Sequence, residues 1–507
     1  IPKRDWSSDV CSSDLKFAAA GGVAMRASMR AFILLAACIA CVATARGVAA
    51  EDPRRAATAQ VDESMAYHIG TLGYLYGYTA VDLLQQRYKE THRITATQQV
   101  SAPVNRLFRF RELLTPTTVG SLRAPNADTL YLSGWFDLRQ EPIVIRAPDT
   151  AGRYYTLAIT DFDGEVQHVG RRTTGTAARD FVLIGPSFSG EVPAGLTPVR
   201  VATHDAWVLG RVLVRGAADL PAARAVVDGF ETLPLAAWRR GVPAGRSADA
   251  ELAVPNAAPW TPLTSLDFFA TLNRWLREQP RRREDAGLLA QFDAAGFGPG
   301  VTFDESRLSE GARRGLLHAI EDGRATLRAA SLRPIADVRN GWFFPLALGR
   351  YGDDHLMRAA VAFGGYANLP EETVYAALTA DARGELLRGE RVYRLRFPAG
   401  ARPPVAAFWS LSAYRLADFN FMSNDAAIYS VGDHKPEFRT APDGSFVIRV
   451  SREPPTAVER AAGENWLPVG EGPFSLILRL YEPGRAVLDR SYQPPALEIV
   501  TPETVTP

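Results

Sequence analysis

Asp161 and Asp163 are the pair whose chemistry is easiest to state. They end a strand-like run, and residues i and i+2 of a strand share one face with Cα atoms about 6.5–7 Å apart. Two carboxylates so placed can divide acid and base roles, as in glycoside hydrolysis. With Phe162 between them and Gly164 after, the same residues also spell an Asp-Phe-Asp-Gly turn. A second set is Asn105, Arg106, Arg109, Arg111, Asn126 and Asp128, with Tyr131 and Trp135 nearby. Arg and Asn offer fixed donors for a sugar or a carboxylate, and the aromatic rings offer stacking surfaces. The second half of the chain holds a similar set: Arg350, Asp353, Trp409, Tyr414, Asn465 and Trp466. We take Asp161, Asp163 and Asp128 as the catalytic candidates. The ligand-binding candidates are Asn105, Arg106, Asn126, Tyr131, Trp135, Arg350, Trp409, Asn465 and Trp466, facing a groove between two domains. Each set also has a structural reading: Asn126 and Asp128 as turn caps, the arginines as interface ion pairs, and Trp409 and Trp466 as core.

Other chemistries find less support. The seven histidines never fall at HxH, HxxH or HxxxH spacing, so no metal ligands are assigned and no cofactor is expected. His204-Asp205 and Asp353-Asp354-His355 can join a metal only through distant partners. There is no Gly-x-Ser-x-Gly elbow, and Phe363-Gly364-Gly365 lacks the lysine of a phosphate loop.

The elements that must position these groups follow from periodicity. Residues 62–90 have apolar residues at helical spacing, from Met65 and Ile69 through Leu72, Leu75 and Tyr76 to Leu83 and Leu84. Between 100 and 230 the pattern changes to short β-branched and aromatic runs separated by Pro, Gly and Asp. The runs are Leu130–Leu138, Ile143–Arg146, Tyr154–Ile159, Phe181–Ile184, Val199–Val201 and Trp207–Val214. Residues 219–232 predict a helix, 262–333 more helix, and 340–495 a return to short strands. The two β-rich stretches echo each other. Asp128–Tyr131 matches Glu372–Tyr375 at an offset of 244, and Tyr154–Leu157 matches Phe408–Leu411 at 254. Phe181–Ile184 matches Phe446–Arg449 at 265, and Trp207–Val214 matches Phe474–Tyr481 at 267. A kept order with a slowly drifting offset predicts two related domains separated by loop insertions.

The chain resembles secreted bacterial proteins that pair two domains of unknown function, numbered 1254 in the first half and 1214 in the second. In the first half the resemblance rests on Tyr74–Tyr78, Pro103–Phe108, Pro125–Tyr131, Asp149–Tyr155 and Val169–Gly175. In the second it rests on Asn340–Trp342, Gly349–Gly352, Arg358–Ala360, Phe408–Leu411, Tyr429–Asp433 and Glu464–Pro468. It covers nearly all of residues 60–498. The resemblance implies tandem β-sandwich, jelly-roll-like domains with helical additions, and a link by fold alone to carbohydrate-active enzymes. The chain departs from the family pattern at Asn424–Tyr429, where the family often has Asn-Pro-x-Asn-Arg-Tyr. It departs again at Asp161–Glu165, which lacks a following Thr-Asn.

Taken together, the sequence predicts a mainly β protein with helical additions, built as two tandem β-sandwich or jelly-roll-like domains joined by a helical segment. Residues 1–24 resemble a translated sequencing adapter and are set aside as a gene-model artefact. Residues 25–50, with Arg26 and Arg30 before the apolar Ala31–Ala45, predict a signal peptide cleaved near Ala50. A lipidated Cys38 is the alternative. Then follow a helical lead-in (51–99), a first β domain (100–235), a helical insert (236–335), a second β domain (336–500) and a tail (501–507). Without its first fifty residues the chain of 507 keeps 457, its formal charge goes from +1 to −2, and all three cysteines are lost. No disulfide or basic surface is then available, which excludes nucleic acid as a partner. The mature chain is expected to have no membrane span. The functional expectation is an exported protein with a small polar or carbohydrate-like ligand, either a hydrolase or lyase or a non-catalytic envelope binding or assembly protein. The sequence does not specify an oligomeric state.

Overall fold

A computed structural model describes residues 53–96, 98, 102–118, 122–243, 254–332 and 338–500. The artefact, signal-peptide and tail expectations for 1–50 and 501–507 lie outside the described residues. From Ala59 onward the chain is one compact unit, separate from the unit that ends at Thr58.

The first β domain contains β1 (Leu107–Arg109), β2 (Thr129–Asp137), β3 (Ile143–Ala147), β4 (Tyr155–Asp161), β5 (Val166–Gly170), β6 (Arg179–Ile184), β7 (Leu196–Arg200), β8 (Asp205–Leu213) and β9 (Glu231–Pro234). They form a five-stranded sheet in the order β1-β2-β8-β4-β5 and a four-stranded sheet in the order β7-β6-β3-β9. Alternation explains why the two sheets close on each other. Leu130, Leu132 and Phe136 of β2, with Ala206, Val208 and Val212 of β8, share one core with Ile143 and Ile145 of β3 and Phe181 and Leu183 of β6. Each such side chain contributes about 1.5–3 kcal/mol on burial.

The second domain contains β10 (Val338–Arg339), β11 (Trp342–Phe343), β12 (Thr373–Leu378), β13 (Val392–Phe397), β14 (Val405–Arg415), β15 (Val431–Gly432), β16 (Phe446–Ser451), β17 (Glu464–Pro468), β18 (Phe474–Pro483) and β19 (Leu497–Val500). Its sheets run β10-β11-β12-β18-β14-β15 and β17-β16-β13-β19. Apart from β10, this is the first domain's topology strand for strand. Even the exceptional parallel pairs correspond, β6 with β7 and β16 with β17. The sequence echo is therefore a duplicated sandwich. The register corrects one of its offsets. Tyr131, Arg211 and Thr156 lie in one row, and Tyr375, Arg479 and Ser410 lie in the equivalent row. The first and last residues of these rows keep the offsets 244 and 254, but the central pair is 268 apart. A slip of one residue exchanges the two faces of a strand, so the 267 alignment set Arg211 against the core residue Leu478.

Six helices of nine or more residues are described: α1 (Pro53–Thr91), α2 (Leu220–Asp228), α3 (Asp267–Glu278), α4 (Ala286–Ala294), α5 (Glu310–Leu332) and α6 (His355–Gly364). All but α2 join a third core, which also covers the outer faces of both large sheets through Tyr131, Trp135, Trp207, Leu209 and Tyr414. The stripe expected on α1 is only partly the buried one. Met65 and Leu72 are 51% and 47% exposed, while the contact runs along Gly70, Gly73, Tyr74, Gly77, Tyr78 and Val81. A Cβ on Gly77 would lie 2.6 Å from Leu272 Cδ1, so glycine lets α3 approach α1. No helix among the described residues is long and apolar enough to cross a membrane.

Candidate functional site

Because each large sheet is covered on both faces, its outward side chains are buried between the two domains and α1. Outward from β2 and β8 point Tyr131, Trp135, Trp207, Leu209 and Arg211, and outward from β12 and β18 point Tyr375, Arg479 and Tyr481. These eight residues line a single cavity of about 50 Å³. Gln86 and Glu90 of α1 complete the wall on one side, and Leu122–Asn126 with Gly365-Tyr366 on the other.

Two of its residues are cations at equivalent positions of the duplicated sheets. Arg211 is 8% exposed and Arg479 is 2% exposed. Among the described residues neither guanidinium has a carboxylate within ion-pair distance. Arg211 Nη1 donates to Asn368 Oδ1 at 3.0 Å. Arg479 Nη2 donates to the carbonyls of Ala124 and Pro125 at 2.6 and 3.3 Å, while its Nη1 is buried without a partner. Aromatic faces supply the rest. Arg211 lies 5.3 Å from the Tyr131 ring centre, and Arg479 lies 5.9 and 5.1 Å from those of Tyr375 and Tyr414. Both guanidiniums line the same cavity as the phenols of Tyr131, Tyr375 and Tyr481. Burial pushes the Tyr481 phenol well above its ordinary range, against the pull of Arg479, so it remains a neutral hydroxyl.

The contacts are reciprocal. Arg211 of the first domain reaches Asn368 of the second, and Arg479 of the second reaches Ala124 of the first. Such exchange is the signature of a two-fold arrangement. The loops at these contacts also match: the Asn126 N–H donates to Tyr131 Oη at 3.0 Å, and the Asn368 N–H donates to Tyr375 Oη at 3.3 Å. The Glu90 carboxylate accepts from Ser133 Oγ and Trp135 Nε1, both at 2.8 Å. Trp135 and Trp207 stack at 5.4 Å and form a flat apolar wall. Arg123, the third arginine of the lining, is paired with Asp82 at 3.1 Å.

Of the expected ligand residues, Asn126, Tyr131 and Trp135 line this cavity. The others lie elsewhere. Asn105 and Arg106 are at a sheet edge, where the Asn105 side chain accepts from the Asp137 N–H and Arg106 contacts the Thr232 carbonyl at 3.4 Å. Arg350 is exposed and paired with Glu371. Trp409 is fully buried, stacked on Phe397 and Phe446 in the second sandwich, because its strand turns that face inward. Asn465 clamps the Arg439 backbone and Trp466 donates to the Ser451 carbonyl; both border a separate shallow depression.

Nor do the catalytic candidates converge. Asp128 is fully buried beside the Ser430–Lys435 loop, accepting from Ser430 Oγ at 2.5 Å with His434 Nε2 at 3.3 Å. Burial opposes its ionisation, but His434, Lys435 and Ser410 outweigh it and hold the carboxyl well below the usual range. Asp161 and Asp163 belong to the β4–β5 turn, where Asp161 Oδ1 accepts from the Glu165 N–H at 2.9 Å. The turn reading is therefore the observed one, but Asp161 is 6% exposed rather than solvated. Burial, then the adjacent Asp163, push its carboxyl well above the ordinary value. Among the described residues no group of three or more His, Cys, Asp or Glu side chains is placed to hold a metal ion.

Arg211, Arg479 and Glu90 were missed by sequence reasoning. The signal was present: one arginine inside each of two matched apolar strands, masked by the one-residue error in the alignment.

Residues 104–234 match the family model described as "Protein of unknown function (DUF1254)", and residues 372–485 match "Protein of unknown function (DUF1214)". No curated protein matches the chain. A crystal structure of a Vibrio parahaemolyticus protein is similar at a TM-score of 0.61 and 24% identity, covering 87% of this chain and 100% of that one, which shows a shared fold. An uncharacterised Burkholderia cenocepacia protein aligns over 90% of this chain and 91% of its own, at a TM-score of only 0.39 and 13% identity.

Proposed function

The chain carries a DUF1254 domain followed by a DUF1214 domain, and from that premise we propose that it binds a small carboxylate-bearing molecule in the cavity between them. The observation behind this reading is the pair of buried, acid-free arginines, Arg211 and Arg479, lining one cavity. A buried cation without a counter-charge is costly, and an anion is its natural complement. Guanidinium geometry favours a planar oxyanion over a spherical one. The stacked Trp135 and Trp207 suit a flat or apolar body.

The arrangement gives less support to hydrolysis by two carboxylates. Glu90 is the one acid on the lining, and the Asp161–Asp163 pair belongs to a separate turn. We therefore favour the binding-protein reading over a hydrolase or lyase, and retain export as part of the proposal. Calorimetric titration of the full chain with benzoate, and with benzyl alcohol as the uncharged control, tests it. Benzoate should bind and benzyl alcohol should bind far more weakly, and Arg211→Met and Arg479→Met should each abolish the preference. Equal binding of the two compounds, or a preference kept in both variants, would overturn the reading.

A further inference from the structure

A second cavity lies against the first and shares Arg123, Ala124, Gly365, Tyr366, Tyr375 and Arg479 with it. Its volume is about 190 Å³. The two differ in chemistry. Apart from the shared residues, its wall comes largely from Phe343, Pro345, Leu348, Val361 and Ile477. Arg123 and Arg479 are its charged residues. Arg123 is already committed to Asp82 and to the carbonyls of Ala362 and Phe363. Arg479 is thus the cation at the junction, with the paired-arginine cavity on one side and an apolar chamber on the other.

We infer that the ligand is an amphipathic monocarboxylate whose carboxylate lies at Arg211 and Arg479 and whose alkyl chain runs past Tyr375 into the second cavity. The inference rests on the carboxylate reading above and extends it to a substrate class, linear acids of medium chain length. Three observations argue for a chain there. The two cavities are neighbours that share Tyr375 and Arg479 in their linings. The outer one offers apolar carbon where a chain leaving the guanidinium would meet it. A tail held there also leaves the Trp135–Trp207 wall to cover the acid end. Burial of each methylene in such a chamber strengthens binding about fourfold.

The test is a calorimetric series on the full chain with the sodium salts of acetate, butanoate, hexanoate, octanoate and decanoate, and benzoate as a compact reference. The wild type should tighten by about fourfold per methylene until the chamber is full. Val361→Trp and, as a milder filling, Ala367→Phe should flatten that rise while leaving acetate and benzoate affinities unchanged. Octanoate binding no tighter than acetate, with arginine-dependent benzoate binding intact, overturns the tail inference and spares the carboxylate reading. A full rise persisting in both folded variants also overturns it, because the tail then lies elsewhere. Absence of binding by every acid, benzoate included, overturns the carboxylate reading itself.

Discussion

Replacing Arg479 by Met tests whether this side chain is present for a ligand or for the fold. Methionine keeps much of the aliphatic volume and removes the charge. Without ligand, the change loses the donation to the Ala124 and Pro125 carbonyls and the contacts with the Tyr375 and Tyr414 rings. Hydrogen bonds from a charged donor contribute about 1.5–3 kcal/mol each, and desolvated cation–π contacts about 2 kcal/mol. Against this stands relief of the desolvation of a guanidinium that is 2% exposed and lacks an acid partner, several kcal/mol for a buried ion. The two sides have opposite sign and the same order of magnitude, so R479M should still fold. Binding has no such compensation. Removing one partner of a buried charge pair costs about 2–5 kcal/mol, which is about thirtyfold to several thousandfold in Kd. Chemical denaturation with and without benzoate separates the two effects. At one hundred times Kd the wild type should gain about 2.7 kcal/mol, and R479M at the same concentration almost nothing. The reasoning fails if R479M alone loses more than about 4 kcal/mol, which would make Arg479 structural, or if its ligand-induced gain equals that of the wild type.

Asp128→Asn should destabilise the protein by about 3–5 kcal/mol at neutral pH, because it strips the counter-charge from a buried cluster with His434 and Lys435. Asp128 has a lowered folded pKa, so its contribution is complete above the ordinary carboxylate range and declines as pH falls below about 4; denaturation midpoints of variant and wild type should converge there. Asp161→Asn should act in the opposite sense. A raised folded pKa means the native state holds its proton longer than the unfolded chain, so wild-type stability falls as pH rises from about 4, and D161N, which imitates the protonated group and keeps the Glu165 N–H bond, should flatten that slope in thermal melts. For the export expectation, intact mass of the secreted protein should correspond to a chain starting at Glu51, and a lipidated Cys38 product would contradict it.

Much of the fold was legible because strands that alternate apolar and other residues carry their own register. The runs that became β2, β3, β6 and β8 were visible without any structure, and so was the duplication. The candidate site was harder for a specific reason. Both faces of each large sheet are buried, so alternation cannot say which face meets the sandwich partner and which meets the other domain. Trp409 was thereby expected at a ligand and lies in the core, whereas Tyr131 and Trp135 are on the cavity. Arg211 and Arg479 needed an alignment correct to one residue, and short apolar matches do not fix that. The helix α1 shows the complementary gap. Its contact face is made by glycines such as Gly77, which hydropathy patterns do not register, so Met65 and Leu72 were given a burial they do not have.

The reciprocal reach of Arg211 and Arg479 has a consequence for how such a chain arises and matures. A half-length ancestor with one sandwich, associating with a copy of itself, would have set two identical arginines in one pocket on the shared axis. Fusion of two such genes would tether the copies and free each half to diverge. During synthesis the consequence is one of order. The first sandwich emerges from the ribosome with α1 on its outer face but Arg211 without Asn368, and it stays so until the second half has been made. Newly made chains therefore depend on their own C-terminal half, or a neighbour's, to complete that face, and exchange of halves between chains is the characteristic error this architecture invites.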